Sequence, residues 1–186
     1  MAELVVEAKT RSERETQALG SAFGRLLRPG DVAALQGDLG AGKTVFVRGV
    51  VTGLGADPAA VQSPTFTIVQ TYAGAPFPVH HLDLYRLSDP ENELSEIGGD
   101  AFLDPREGVS LIEWGEKAAG LLPGSRFDVA IRPSGSGDPS ERVIAIFARG
   151  EAQERAAEIA EAISGVAGGA VRAAEAARRG ESEGGP

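Results

Sequence analysis

The sequence predicts an α/β fold, a mixed β-sheet flanked by helices, and three observations carry that prediction. Gly37-Asp38-Leu39-Gly40-Ala41-Gly42-Lys43-Thr44 fits the phosphate-loop pattern G-x-x-x-x-G-K-[ST] at every required position. Short apolar runs of strand character alternate with helical patterns, as they do where helices cover a sheet. Two pairs of these runs are joined by turn-rich segments, which adds antiparallel hairpins. The three together describe a P-loop NTPase-like domain over residues 1–163. An Ala/Gly-rich tail over 164–186 follows, and its composition predicts flexibility.

Leu4–Ala8 is the first strand. Thr10 or Ser12 then caps a helix from Glu13 to about Leu27, with Ser12 and Glu15 at capping-box spacing. Ala18, Ala22 and Leu26, together with Leu19, Phe23 and Leu27, fall at i, i+4 steps and form its buried stripe. Pro29-Gly30 breaks the chain, Asp31–Gln36 is a strand running into the phosphate loop, and Val45–Leu54 is a helix closed by Gly53 and Gly55. After Pro64, alternation as far as Tyr72 predicts a strand; Gly74–Pro78 turns it, and Val79–Tyr85 returns as the other half of a hairpin. Asp89 caps a helix that Pro90 opens and Gly98-Gly99 ends. Val109–Trp114 is a buried strand, and Gly115–Leu122 a helix closed by Pro123-Gly124. Phe127–Ile131 and Arg142–Phe147 form an antiparallel pair around a loop from Pro133 to Ser140. Glu151–Ile163 is rich in Ala and Glu and predicts a helix, and Ala170–Arg179 predicts a weaker one.

Composition narrows the function. A net charge of −9 argues against broad electrostatic binding to nucleic acid, which needs a basic face. The absence of cysteine excludes disulfide, thiolate and zinc-thiolate chemistry. The N-terminus has no basic region followed by an apolar stretch, and no run approaches the ~18–20 apolar residues of a membrane span. The expectation is a cytoplasmic protein with no membrane association.

The phosphate loop supplies the chemistry. Its glycines allow positive φ and let backbone N–H groups close on phosphate oxygens, while the helix beginning near Lys43 directs its positive end at the same anion. Lys43 is expected at the β- and γ-phosphates, and the Thr44 hydroxyl at Mg²⁺. A glycine-rich turn that happens to precede Lys-Thr is the plain alternative, and the flanking strand and helix weigh against it. Hydrolysis also needs a carboxylate at a strand end, and Asp83 and Glu113 both stand at such positions. Ser63-Pro64-Thr65 offers hydroxyls on a loop able to sense the γ-phosphate, though the same triplet makes ordinary turns. His80 and His81 are adjacent on a strand and point to opposite faces, which speaks against a shared transition metal. Trp114 reads first as core and second as a stacking residue near the nucleotide.

The ordered set Gly37–Thr44, Ser63-Pro64-Thr65-Phe66-Thr67, His81-Leu82-Asp83-Leu84-Tyr85-Arg86-Leu87 and Leu111-Ile112-Glu113-Trp114 resembles the TsaE (YjeE) family. The resemblance spans roughly residues 4–163. It implies a small ATPase of bacterial tRNA threonylcarbamoyladenosine biosynthesis, working with a TsaB–TsaD pair that modifies adenosine 37 of tRNAs reading ANN codons. On this resemblance tRNA is met only through that complex. It also implies Lys43 on the phosphates, Thr44 and Glu113 as Mg²⁺ ligands, and Asp83 as an Mg²⁺-supporting or water-orienting acid. Thr65 falls in the γ-phosphate-responsive loop and Trp114 near the site. The segments around Ser12 and Gly137 are the ones implied to contact the base, and the Gly/Ser-rich loop of this sequence weakens the second.

The functional expectation is therefore Mg²⁺-dependent ATP hydrolysis to ADP and phosphate at Gly37–Thr44, weak without partners. The alternatives are a small-molecule kinase and a nucleotide-gated interaction switch. Scattered arginines and the lack of a lid segment count against the kinase.

Overall fold

The computed structural model describes residues 1–64, 66–73, 75–166 and, as backbone, 172–173. The strands are β1 (Glu3–Thr10), β2 (Val32–Gln36), β3 (Val69–Tyr72), β4 (Val79–Asp83), β5 (Val109–Glu113), β6 (Arg126–Pro133), β7 (Arg142–Arg149) and β8 (Arg172–Ala173). The helices are α1 (Glu13–Gly24), α2 (Lys43–Gly53), α3 (Pro90–Glu96) and α4 (Ala156–Ser164). The strands form one mixed sheet in the order β3-β4-β5-β2-β6-β7-β1-β8. Its centre is parallel, with β2 between β5 and β6 and with β4 beside β5. The flanks are antiparallel: β3 on β4 at one edge, and β6, β7, β1 and β8 in succession at the other. The expected mixed sheet flanked by helices is the fold observed.

Two apolar layers cover the sheet. On one face Leu19 and Phe23 of α1, Phe46, Val47 and Val50 of α2, and Ile159 and Ile163 of α4 join strand residues such as Leu35 and Leu111 in the main core. On the other face Leu94 of α3 packs with Val32, Leu82, Leu84 and Ile112. Helices α1 and α2 meet at backbone distance: a Cβ on Gly49 would stand 2.3 Å from the Gln17 carbonyl, and one on Gly24 would stand 2.4 Å from the Val50 carbonyl. Small residues on both helices permit this approach.

That contact explains one departure from the sequence reading. Ser12 caps α1 by accepting from the Glu15 N–H, but the helix ends at Gly24, and Ala18 of the expected stripe is exposed. The face turned inward is Thr16, Leu19, Gly20, Ala22, Phe23 and Gly24, because the glycines seat against α2. Three other elements are also shorter than expected. The strand after Pro64 starts only at Val69, because the Pro64 carbonyl accepts the N–H groups of Thr67 and Ile68, which a strand would have paired. Gly115–Leu122 forms a 3₁₀ turn over Gly115–Ala118 and no α-helix, the Lys117 N–H donating to the Trp114 carbonyl three residues back. The Ala/Glu-rich segment is 3₁₀ over Gly150–Arg155 before α4 begins. The weak helix expected over 170–179 lies outside the described residues except at Arg172–Ala173, which run as a strand beside β1.

The C-terminal ends of β4, β5 and β2 lie side by side. In the sheet register Asp83 faces Glu113, and Glu113 faces Leu35 of β2, two residues before Gly37. Open α/β sheets place their sites at this end of the strands.

Candidate nucleotide site

The phosphate loop leaves β2 at Gly37 and enters α2 at Lys43. Gly37 lies so close to the neighbouring strand that a Cβ there would stand 2.3 Å from the Ile131 carbonyl. Gly42 caps α2 with φ 105°, a left-handed conformation that L side chains avoid. No side chain caps α2, so its first-turn N–H groups remain available to an anion. Arg142 of β7 braces the loop from outside, its Nε donating to the Ala41 carbonyl at 2.8 Å.

Lys43 is only 4% exposed. Its ammonium donates to the carbonyls of Gly37 (2.6 Å) and Asp38 (3.0 Å) and stands 3.8 Å from the centre of the Trp114 ring. Burial pushes its pKa below the usual lysine value, opposed by the charges of Glu113, Glu116, Asp83 and Asp38. Trp114 packs against the smaller core, the first role weighed from sequence, and its ring also lies in the cleft wall beside Lys43 and 5.0 Å from Tyr85. Its φ of 60° turns the chain sharply after Glu113, a strained conformation for a bulky residue and one that accumulates at functional sites.

Thr44 Oγ1 donates to Glu113 Oε1 at 2.8 Å, joining the loop to the end of β5. Asp83, on the neighbouring strand, accepts from Ser63 Oγ at 2.5 Å through Oδ2 and from the Tyr85 N–H at 3.0 Å through Oδ1. Asp83 and Glu113 are each 3% exposed, yet both line the cleft. The cleft holds about 670 Å³, and Leu39–Val45, Ser63, Asp83, Tyr85, Glu113 and Trp114 form much of its wall. Among the described residues no group of three or more His, Cys, Asp or Glu side chains is arranged to hold a metal alone. One hydroxyl and two carboxylates are instead the hard, incomplete oxygen set that suits Mg²⁺ completed by phosphate and water.

The structure brings together Lys43, Thr44, Asp83, Glu113 and Trp114. Ser12 and Gly137 stand outside the cleft wall, while their neighbours Glu13, Thr16, Pro139 and Ser140 are in it. The two segments touch, with Ser140 Oγ donating to the Arg11 carbonyl at 3.0 Å. Thr65 lies outside the described residues. Sequence reasoning missed Arg142, Tyr72 and the hydrogen bond from His81 to Glu113. The strand alternation carried a signal for His81, since it places His81 and Asp83 on one face.

Residues 10–143 match the family described as threonylcarbamoyl adenosine biosynthesis protein TsaE. The chain is 37% identical over 150 residues to the tRNA threonylcarbamoyladenosine biosynthesis protein TsaE of Bacillus subtilis, covering 81% of this chain and 90% of that one. It is 40% identical over 129 residues to the TsaE of Treponema pallidum, covering 69% and 93%. It also resembles the crystal structure of Bacillus subtilis YdiB, with a TM-score of 0.65 and 32% identity over 88% of this chain and 96% of that one. With the phosphate loop and its paired strand-end acids, these matches show that the chain belongs to the TsaE family of tRNA threonylcarbamoyladenosine biosynthesis.

Proposed function

We propose that the protein binds Mg²⁺-ATP at Gly37–Thr44 and hydrolyses it to ADP and phosphate, in the cytoplasm, in support of a TsaB–TsaD transferase complex. The observation that carries this reading is the joining of the phosphate loop to a strand-end carboxylate through the Thr44–Glu113 hydrogen bond, with Asp83 beside it in the same cleft. A P-loop NTPase needs little covalent chemistry from its side chains; it positions the phosphates and neutralises charge. Lys43 and the first-turn N–H groups of α2 hold the phosphates. Thr44 and Glu113 hold the ion, which when bound offsets the negative charge of the transferring phosphoryl group. Asp83, fixed by Ser63 and the Tyr85 N–H, is placed to orient water or support the ion from behind. Ser63 carries the adjoining loop, in which Thr65 answers the γ-phosphate. The segments at Ser12 and Gly137 approach the base.

A switch with little turnover would share this site, so the test is catalytic. Phosphate release is measured for the chain alone and with purified TsaB–TsaD. The reading expects slow release alone, a rise of at least tenfold with the complex, and loss of both in Lys43→Ala. No release in either condition would refute it.

A further inference from the structure

Glu113 is held from both sides. Thr44 Oγ1 donates to its Oε1 at 2.8 Å, and His81 Nε2 lies 2.9 Å from that same oxygen. His81 is fully buried, and its Nδ1 is 2.8 Å from the hydroxyl of Tyr72, itself 3% exposed. The three residues lie on adjacent strands in diagonal register: Tyr72 faces Val79, His81 faces Gln70 and Leu111, and Asp83 faces Glu113. Diagonal neighbours on one face of a sheet are within reach of long side chains.

The donor directions can be assigned. Burial and the Glu113 charge push the Tyr72 hydroxyl up to about 12, so it is a phenol at neutral pH and able to donate. A carboxylate only accepts, so His81 presents Nε2–H to Glu113, and the neutral ring then receives the Tyr72 O–H at Nδ1, 2.8 Å away, in preference to the Gln62 carbonyl at 3.5 Å. Both described hydrogen bonds to Glu113 fall on Oε1, and Oε2 has no protein hydrogen-bond partner among the described residues. A buried histidine that locks one carboxylate oxygen leaves the other to a cation, as outer-shell partners do around metal sites.

We propose that His81, oriented by Tyr72, is a positioning residue that sets the Glu113 carboxylate and thereby the Mg²⁺ affinity of the nucleotide site. The inference rests on the reading of Glu113 as a Mg²⁺ ligand. The Tyr72–His81 pair also reaches β3, the strand that follows the loop carrying Ser63.

The test is binding of a non-hydrolysable ATP analogue by calorimetry, titrated with Mg²⁺ and repeated in EDTA. In His81→Leu the Mg²⁺ concentration for half-maximal enhancement is expected to rise about tenfold, with affinity in EDTA unchanged. His81→Gln, which restores an N–H near the Nε2 position, is expected to recover most of the loss. Tyr72→Phe, a milder change that keeps the ring, is expected to raise the requirement about threefold; it decides the matter if His81→Leu does not fold. Glu113→Gln separates the two levels of the argument. An altered Mg²⁺ requirement in Glu113→Gln with none in the His81 and Tyr72 variants overturns the inference and leaves the ligand reading standing. An unaltered requirement in Glu113→Gln sinks both. Equal losses of affinity in EDTA and in Mg²⁺ would show a merely structural role and overturn the inference.

Discussion

Lys43 is a cation kept from water and stabilised by carbonyls, a tryptophan face and surrounding acids. A nucleotide phosphate would add a charge-assisted hydrogen bond, of the kind worth ~1.5–3 kcal/mol. Lys43→Ala should therefore weaken ATP binding at least about tenfold by calorimetry, and undiminished affinity would contradict the assignment. The sign of the pH dependence follows from the same burial. The free protein holds the Lys43 pKa below its ordinary value of 10.5, and a bound phosphate draws it back up. Nucleotide affinity should fall as pH rises through the lowered value, with proton uptake on binding wherever the free protein's Lys43 has begun to lose its proton. Heats that do not vary with buffer ionisation enthalpy would count against this. Lys43, Thr44, Asp83 and Glu113 were legible in sequence because motif spacing and strand ends fix where they lie. The Tyr72–His81–Glu113 chain was not, because diagonal register across three strands is a tertiary fact. Arg142 was hidden for the same reason, with a hundred residues between it and the loop that it braces.

The elements show which local signals survive tertiary contact. The capping residues Ser12 and Asp89 act where the sequence placed them, since a cap satisfies backbone groups within a few residues of itself. The inward face of α1 keeps Leu19, Ala22 and Phe23 of the expected stripe, but Gly20 and Gly24 join it and Ala18 turns outward, because close contact with α2 sets the rotation. That contact yields a prediction. Gly49→Ala places a methyl 2.3 Å from a backbone carbonyl that cannot swing away, so the helices must separate. Overpacking of this kind costs typically ~1–3 kcal/mol. For a chain of this size each kcal/mol lowers Tm by roughly 2–4 °C, so the variant should melt several degrees below wild type. An unchanged Tm would mean that the α1–α2 approach is looser than described. The strand from Pro64 and the helix from Gly115 failed for a shared reason. In both, backbone N–H groups are claimed locally, those of Thr67 and Ile68 by the Pro64 carbonyl and that of Lys117 by the Trp114 carbonyl.

At the scale of the whole molecule, the parallel centre of the sheet brings three strand ends to one cleft, and the antiparallel flanks extend the sheet around it. No helix among the described residues is long and apolar enough to cross a membrane. The net charge of −9 offers no broad attraction to phosphodiester backbones. The isolated chain should bind tRNA no more tightly than about 10⁻⁴ M at physiological salt by fluorescence anisotropy, and submicromolar affinity would contradict contact through partners alone. The central claim is that ATP chemistry at this loop is needed to make the modified nucleoside. The measurement that tests it most directly is threonylcarbamoyladenosine content of bulk tRNA, by nucleoside mass spectrometry, after depletion of the protein in its host. The account predicts loss of the nucleoside, restored by the wild-type chain and not by Lys43→Ala. Restoration by Lys43→Ala to the wild-type level would contradict it.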